Sequence, residues 1–351
     1  MYHGRGLKRP RLIYYHPASQ PSYFIFFCNT LPVNTPAQYR QVPLSDIDLA
    51  DSRYTLNPFS ATDPDEQLAA SIRALGVLHP PLLLELAADR FIVLSGRRRI
   101  RIAADDGLAP SITALVINRE QADQPGFIFT TLLSHQLIGS SLSIIEQAIF
   151  FKKAMACLPA EEIVTFLPLL GYKKKLHIPS ELISLLTLDP TAQRALHKGV
   201  LSSQSGKKLL QFSPADQQAL TELICALQLG GSKQQKLINF VLELTKRLQI
   251  SGRELLDRWQ EKEKDKQHNG PQRAASLLSW LQRKCSPRSV AEEEGFRKFC
   301  GQLRLPAGVR LSHTLSFEDE QVTLQVDFKS RRELEKIWPQ IKSLLQGRPD
   351  S

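Results

Sequence analysis

Across residues 39–133 apolar side chains come in short runs divided by polar turns. Residues 41–47, 80–85 and 90–94 and Ser111–Ile117 each hold a stretch of apolar or β-branched side chains, which predicts strands. Residues 63–75 instead carry Leu68, Ile72 and Leu75 at helical spacing, with Asp63 or Asp65 placed to cap the start and Gly76 to end it. Residues 97–106 predict a second helix. From Ser141 to Trp259 the strand signals vanish. Leu, Ile, Ala, Gln and Lys dominate there at helical spacing, punctuated by Pro159, Gly171, Pro179, Pro190, Gly199, Pro214 and Gly230-Gly231. That texture predicts a string of short helices. Ser143 with Glu146, and Ser213 with Asp216, have the spacing of capping boxes.

Residues 260–274 are charged and nearly without apolar side chains, so they read as a linker or a frayed helix end. A short amphipathic segment with Leu277, Leu278, Trp280 and Leu281 follows. The last segment predicts helix (293–303), hairpin (309–318 with 321–329) and helix (331–345). In its second strand Val322, Leu324, Val326 and Phe328 alternate with polar residues, the period-two pattern of a half-buried strand. The closing helix places Leu334, Ile337, Trp338 and Ile341 on one side. Roughly 55 residues make a thin core. A second copy is the simplest cover for the apolar face, so these eight residues are the predicted dimerisation surface.

The expected fold is therefore multidomain α+β. Residues 1–38 form an N-terminal extension, expected to be poorly ordered and open to being an artefact of the assigned start. Residues 39–133 form an α/β-type domain, 134–259 a helical domain, 260–290 a charged linker and 291–346 a C-terminal dimerisation domain.

Charge adds a partner class. The chain has 351 residues and a formal net charge of +10, a balance that suits a polyanion such as nucleic acid. The five cysteines (Cys28, Cys157, Cys225, Cys285, Cys300) are scattered and form no CxxC pair, so they read as reduced thiols in a cytoplasmic protein rather than a disulfide framework or a zinc site. No apolar run approaches the roughly 18 residues of a membrane span.

The densest candidate chemistry is Val93-Leu94-Ser95-Gly96-Arg97-Arg98-Arg99-Ile100-Arg101. A strand runs into a glycine, and four arginines fill the next five positions. Glycine permits a tight strand-to-helix turn, and the first helical N–H groups then face an anion that the arginines neutralise. A solvated basic helix start is the competing reading.

In this order these pieces resemble the ParB family of chromosome and plasmid partition proteins. Val42-Pro43-Leu44-Ser45-Asp46-Ile47 with Arg53 is similar to the family's opening strand and following arginine. The stretch from Leu68 through Gly76 to His79-Pro80 is similar to its helix and glycine-to-proline turn, and Gly96-Arg97-Arg98-Arg99-Ile100-Arg101 to its signature G-E-R-R-x-R. The closing helix–strand–strand–helix resembles its C-terminal dimerisation domain. The likeness implies an N-terminal domain of the ParB/sulfiredoxin type, a helix-turn-helix in the middle, and a dimeric clamp that binds a centromere-like double-stranded DNA site. It also implies CTP with magnesium, slow CTP hydrolysis in many members, a ParA-type ATPase as partner, and association with the nucleoid.

On that likeness the nucleotide- or phosphate-binding residues are Arg53, Gly76, His79, Pro80, Gly96, Arg97, Arg98, Arg99 and Arg101. His79 stands where the family has glutamine and serves either a ligand or the turn itself. Two departures bear on the chemistry. The signature glutamate is Arg97, whose cation repels Mg²⁺. The family's E-N-x-x-R segment corresponds to His135-Gln136-Leu137-Ile138-Gly139, which lacks the carboxylate, the asparagine and the arginine. Nucleotide binding stays open, while hydrolysis and a metal site are disfavoured; no metal ligand and no catalytic residue is assigned.

In the helical region, residues 161–170 fit the first helix of a helix-turn-helix, shortened by Pro168, with Gly171 at the turn. Pro179 belongs in a first helical turn, which starts the second helix near Ile178. Lys173, Lys174 and Lys175 then occupy the preceding loop, where lysines contact phosphates without reading sequence. With His177 and Ser180 they are the predicted DNA contacts. Two other readings compete: a CTP-hydrolysing clamp with an altered metal site, and a non-catalytic nucleoid-associated scaffold. Sulfiredoxin-type chemistry lacks its nucleophile, since no cysteine lies between Cys28 and Cys157.

Overall fold

The computed structural model describes residues 37–59, 66–121, 123–139, 141–264, 269–303, 305, 308–313 and 322–346. Five strands form one mixed sheet: β1 (Gln38–Pro43), β2 (Ile47–Asp48), β3 (Leu82–Ala87), β4 (Arg90–Ser95) and β5 (Ser111–Ile117), in the order β1-β5-β3-β4-β2. β1 runs antiparallel to β5 and β3 antiparallel to β4, whereas β3–β5 and β2–β4 are parallel. The opening strand differs from expectation. It begins at Gln38 and stops at Pro43, which has no N–H to continue the ladder, and a 3-10 turn over Leu44–Asp46 precedes β2.

The sheet is buried on both faces, which is why its central strands are apolar without interruption. On one face Leu83, Phe91, Val93, Ile112, Ala114 and Val116 pack with Ile100 of α2 (Arg97–Asp105). Alternate residues Leu82, Leu84, Ile92, Leu94 and Ile117 point the other way. There they meet α3 (Pro125–Gly139), α4 (Ile144–Met155), α5 (Ala160–Phe166) and α6 (His177–Ser184). Phe150 stands edge-on to Phe129 at 5.7 Å and to Phe166 at 5.3 Å, tying α3, α4 and α5 together. The core thus runs unbroken across the expected boundary at 133/134, and α3 straddles it.

A second core joins α7 (Pro190–His197), α8 (Ser203–Leu209), α9 (Pro214–Ala226), α10 (Gly231–Leu248) and α11 (Gly252–Glu263). The structure departs here from the linker expected over 260–290. α12 (Gly270–Cys285) buries Ala274, Leu277, Leu281 and Cys285 in this core beside Trp259. Ser143 and Glu146 form the full capping box of α4. At α9 only half of one exists: Ser213 accepts from the Asp216 N–H, but the Asp216 carboxylate turns to the Arg253 N–H at 2.7 Å, capping α11 instead.

α1 (Glu66–Leu75) ends at Gly76 as expected, with φ +72° and an N–H donated to the Ile72 carbonyl. Its expected cap at Asp63 or Asp65 lies outside the described residues, as do residues 1–36. At the other end α13 (Pro287–Gln302) precedes the antiparallel pair β6 (Val309–His313) and β7 (Val322–Val326), and α14 (Arg331–Gln346) follows. The expected turn at 318–320 lies outside the described residues. Ile341 is buried, but Val322, Leu324, Phe328 and Trp338 are exposed, Trp338 by 56%.

Candidate functional site: the α2 turn and the basic loop before α6

Gly96 makes the turn from β4 into α2 with φ +92°. A Cβ there would lie 2.8 Å from the Pro81 Cβ and 3.0 Å from the Pro81 Cα. The backbone therefore approaches its neighbour as only glycine allows. This turn borders a cavity of about 180 Å³, lined by Gly96–Arg99 together with Thr55, Asn57, Leu68, Gln136 and Glu146 among others. The residues of the first turn of α2 belong to this lining, and the N–H groups of a first turn have no carbonyl within the helix to meet. Two more buried polar atoms in the lining residues lack a partner, the Thr55 Oγ1 and the Arg97 Nε.

The arginines take different roles. Arg97 sends its two terminal nitrogens to the carbonyls of Leu49 and Asp51. Arg99 donates to the carbonyl of His79. Burial lowers the pKa of both groups, assisted by the neighbouring charges of Arg101 and Arg98 respectively. Arg98 lines the cavity on its exposed side. Arg101 lies a turn further along α2, outside the lining.

Arg53 is bound to Asp51, with the ion pair at 2.7 Å. Burial works to raise the Asp51 pKa, but hydrogen bonds from Arg53 and its charge hold the carboxyl below its usual value. Gly76, His79 and Pro80 form the adjoining turn rather than the cavity wall. The His79 side chain is exposed. Of the residues expected to bind phosphate, the structure thus gathers Gly96, Arg97, Arg98 and Arg99 around the cavity. Arg53, Gly76, His79, Pro80 and Arg101 stand behind it or beside it.

Sequence reasoning missed Thr55, Asn57 and Glu146 as lining residues, and Gln136 entered only through its place in the altered segment. Gln136 donates to the buried Ser95 Oγ at 3.2 Å. None of these carries a local signal, because they come from the loop at 51–59, α3 and α4 rather than from the β4–α2 turn itself. The lining suits phosphate oxygens, because the start of α2 and the cationic side chains of Arg98 and Arg99 lie together there. It does not fit a divalent cation. Glu146 is the one carboxylate among the described lining residues, and it accepts from the Ser143 N–H at 2.9 Å. A cavity this size holds phosphate groups rather than a whole nucleotide, for which several hundred Å³ is usual.

On the far side of α4, α5 leads through a 3-10 turn at Pro168–Leu170 and Gly171 (φ +81°) to α6. Pro168 ends the α-helical geometry as expected, and α6 starts at His177, one residue before the expected point. Pro179 and Leu182 of α6 are buried, while His177, Ser180 and Glu181 face outward. Lys173, Lys174 and Lys175 are all exposed in the preceding loop. Glu181 is ion-paired with Lys207 of α8 and lies 3.7 Å from His177. Lys208 donates to Asn239 on α10 at 2.7 Å.

Among the described residues, no three of the His, Cys, Asp and Glu side chains cluster as metal ligands, the cysteines are free, and no helix is long and apolar enough to cross a membrane. No family model matches the sequence, and no curated protein matches it. Solved structures similar to the chain include two of the C-terminally truncated chromosome-partitioning protein ParB from Caulobacter crescentus. The one complexed with CTP-gamma-S shares 21% identity over 54% of this chain and 99% of that chain, with a TM-score of 0.22. The one complexed to the centromeric parS site shares 22% identity over 57% and 97%, with a TM-score of 0.27.

Proposed function

We propose that this chain is a ParB-like DNA-binding protein of chromosome or plasmid partition. In this reading it is dimeric through its C-terminal unit, and its α2 turn holds the phosphates of a nucleotide such as CTP. The observation that carries the reading is the helix–turn–helix of α5, Gly171 and α6, with Lys173, Lys174 and Lys175 exposed immediately before α6. Three ammonium groups on a loop beside a helix whose outward face is polar suit a duplex: the loop on phosphates, the helix in the major groove. The nucleotide part rests on the helix N-terminus and the arginines that line the cavity. When bound, a nucleoside triphosphate would supply the negative charge those donors lack. The α2 turn at Gly96 and the side chain of Arg98 would hold its oxygens, with neither a metal nor hydrolysis required for binding. A ParA-type ATPase contact through the N-terminal tail falls on residues outside those described.

The test is duplex binding followed by fluorescence anisotropy between 50 and 200 mM salt, for the wild type and for the triple variant K173A/K174A/K175A. Each phosphate neutralised contributes about 0.9 to the slope of log K against log salt, so three lysines contribute about 2.7 per chain. Removing them is expected to flatten the slope by that amount. No binding at 50 mM, or an unchanged slope, refutes the reading. Titration with CTP, ATP and GTP, with and without Mg²⁺, tests the cradle. Binding is expected without metal and is expected to weaken in Arg98→Ala.

A further inference from the structure

α6 carries one feature that phosphate attraction does not explain. His177, Ser180, Glu181 and Ser184 recur at the spacing of a single helix face, opposite the buried Pro179 and Leu182. Glu181 puts a carboxylate on that face, between the basic loop at 173–175 and the lysines of α8. A carboxylate there repels the duplex backbone, so its contribution is not to general affinity. It is an acceptor-only group. In the major groove the donors available to it are the exocyclic amines, and the contact a Glu makes is with the N4 amine of cytosine.

Its surroundings fix it in place. Lys207 reaches across from α8 to one carboxylate oxygen, and His177 lies 3.7 Å from the other. The Lys207 hydrogen bond, and then its charge, hold the carboxyl below its usual pKa, so it stays an ionised acceptor.

Resting on the DNA-binding reading above, we propose that Glu181 is a sequence-reading residue that accepts a hydrogen bond from a cytosine amine in the major groove, with Lys207 of α8 as its positioning residue. The partner is thus double-stranded DNA whose bound site includes a G·C pair at a fixed position.

The experiment selects bound sequences from a library of duplexes with a randomised core, using the full chain. Affinities are then measured for every single-base-pair variant of the best sequence. The wild type is expected to prefer cytosine at one position by about fivefold or more. Glu181→Ala is expected to flatten that position and leave the others unchanged. Glu181→Gln is expected to shift it toward adenine, which an amide reads through paired hydrogen bonds. Lys207→Met is expected to weaken the same preference while Glu181 remains. The proposal is overturned if Glu181→Ala raises affinity for every duplex by one common factor with the base preferences intact, since that is simple relief of repulsion. It is also overturned if the wild type binds duplexes in a salt-dependent way but shows no cytosine preference. Failure of the wild type to bind any duplex at low salt removes the DNA-binding reading itself, a result distinct from the other two.

Discussion

Gly96 and Gly76 both sit in the left-handed region, at φ +92° and +72°, yet their surroundings differ. A Cβ on Gly76 meets nothing within 4 Å, whereas one on Gly96 meets Pro81 at 2.8 and 3.0 Å. Pro81 cannot step aside easily, because its carbonyl accepts the Leu115 N–H at 2.8 Å and so is stitched into the sheet. Alanine at either position incurs the left-handed penalty of about 1–2 kcal/mol, partly offset by about 0.4–1 kcal/mol from a stiffer unfolded chain. Only Gly96→Ala adds overpacking, typically about 1–3 kcal/mol. The expected losses are therefore about 1 kcal/mol for Gly76→Ala and about 2–4 kcal/mol for Gly96→Ala. Asparagine separates the causes, since it tolerates left-handed backbone but still has a Cβ. Gly76→Asn is expected to be close to neutral and Gly96→Asn to remain costly. The assay is a urea series read by pulsed hydrogen exchange and mass spectrometry on peptides covering residues 82–105, which reports the β4–α2 region directly. With an m-value of about 2 kcal/mol/M, a loss of 3 kcal/mol lowers the midpoint by about 1.5 M. Equal losses for the two alanine variants would refute the close-approach argument.

Two further outcomes follow from side chains already placed. His135 has a lowered pKa, from burial first and the Arg99 charge second; its Nδ1 is buried without a partner. The unfolded chain therefore takes up this proton first, so stability is expected to fall as pH drops below about 6.5 and to level off below the folded-state value. His135→Gln keeps a polar side chain of similar size without the titrating ring and is expected to lose this part of the pH dependence in urea midpoints measured from pH 7.5 to 5.5; parallel profiles would contradict it. At the C-terminal unit, Trp338→Asp places a charge on the exposed apolar face and is expected to halve the mass seen by light scattering. A wild-type chain that is already monomeric at micromolar concentration rejects the dimer surface.

The sheet was legible because strands buried on both faces cannot hide their composition. Leu82-Leu83-Leu84 and Phe91-Ile92-Val93-Leu94 have no other economical use. The α12 helix was legible too, had the spacing of Ala274, Leu277, Leu281 and Cys285 been weighed above the charged run before it. The cavity was half legible. Gly96 and its arginines announce themselves locally, but Thr55, Gln136 and Glu146 arrive through tertiary packing. The role of Arg97 was not legible at all, because its partners are backbone carbonyls 46 and 48 residues away, and a carbonyl has no sequence signature.

That last arrangement couples two parts of the molecule. Arg97, at the start of α2, grips the carbonyls of Leu49 and Asp51, while Lys153 of α4 grips those of Ser52 and Arg53 at 2.6 and 2.8 Å. One five-residue strap is thus buckled at both ends by cations from different helices. Both ties end on backbone oxygens, so side-chain truncations within residues 49–53 leave the acceptors of α2 and α4 in place.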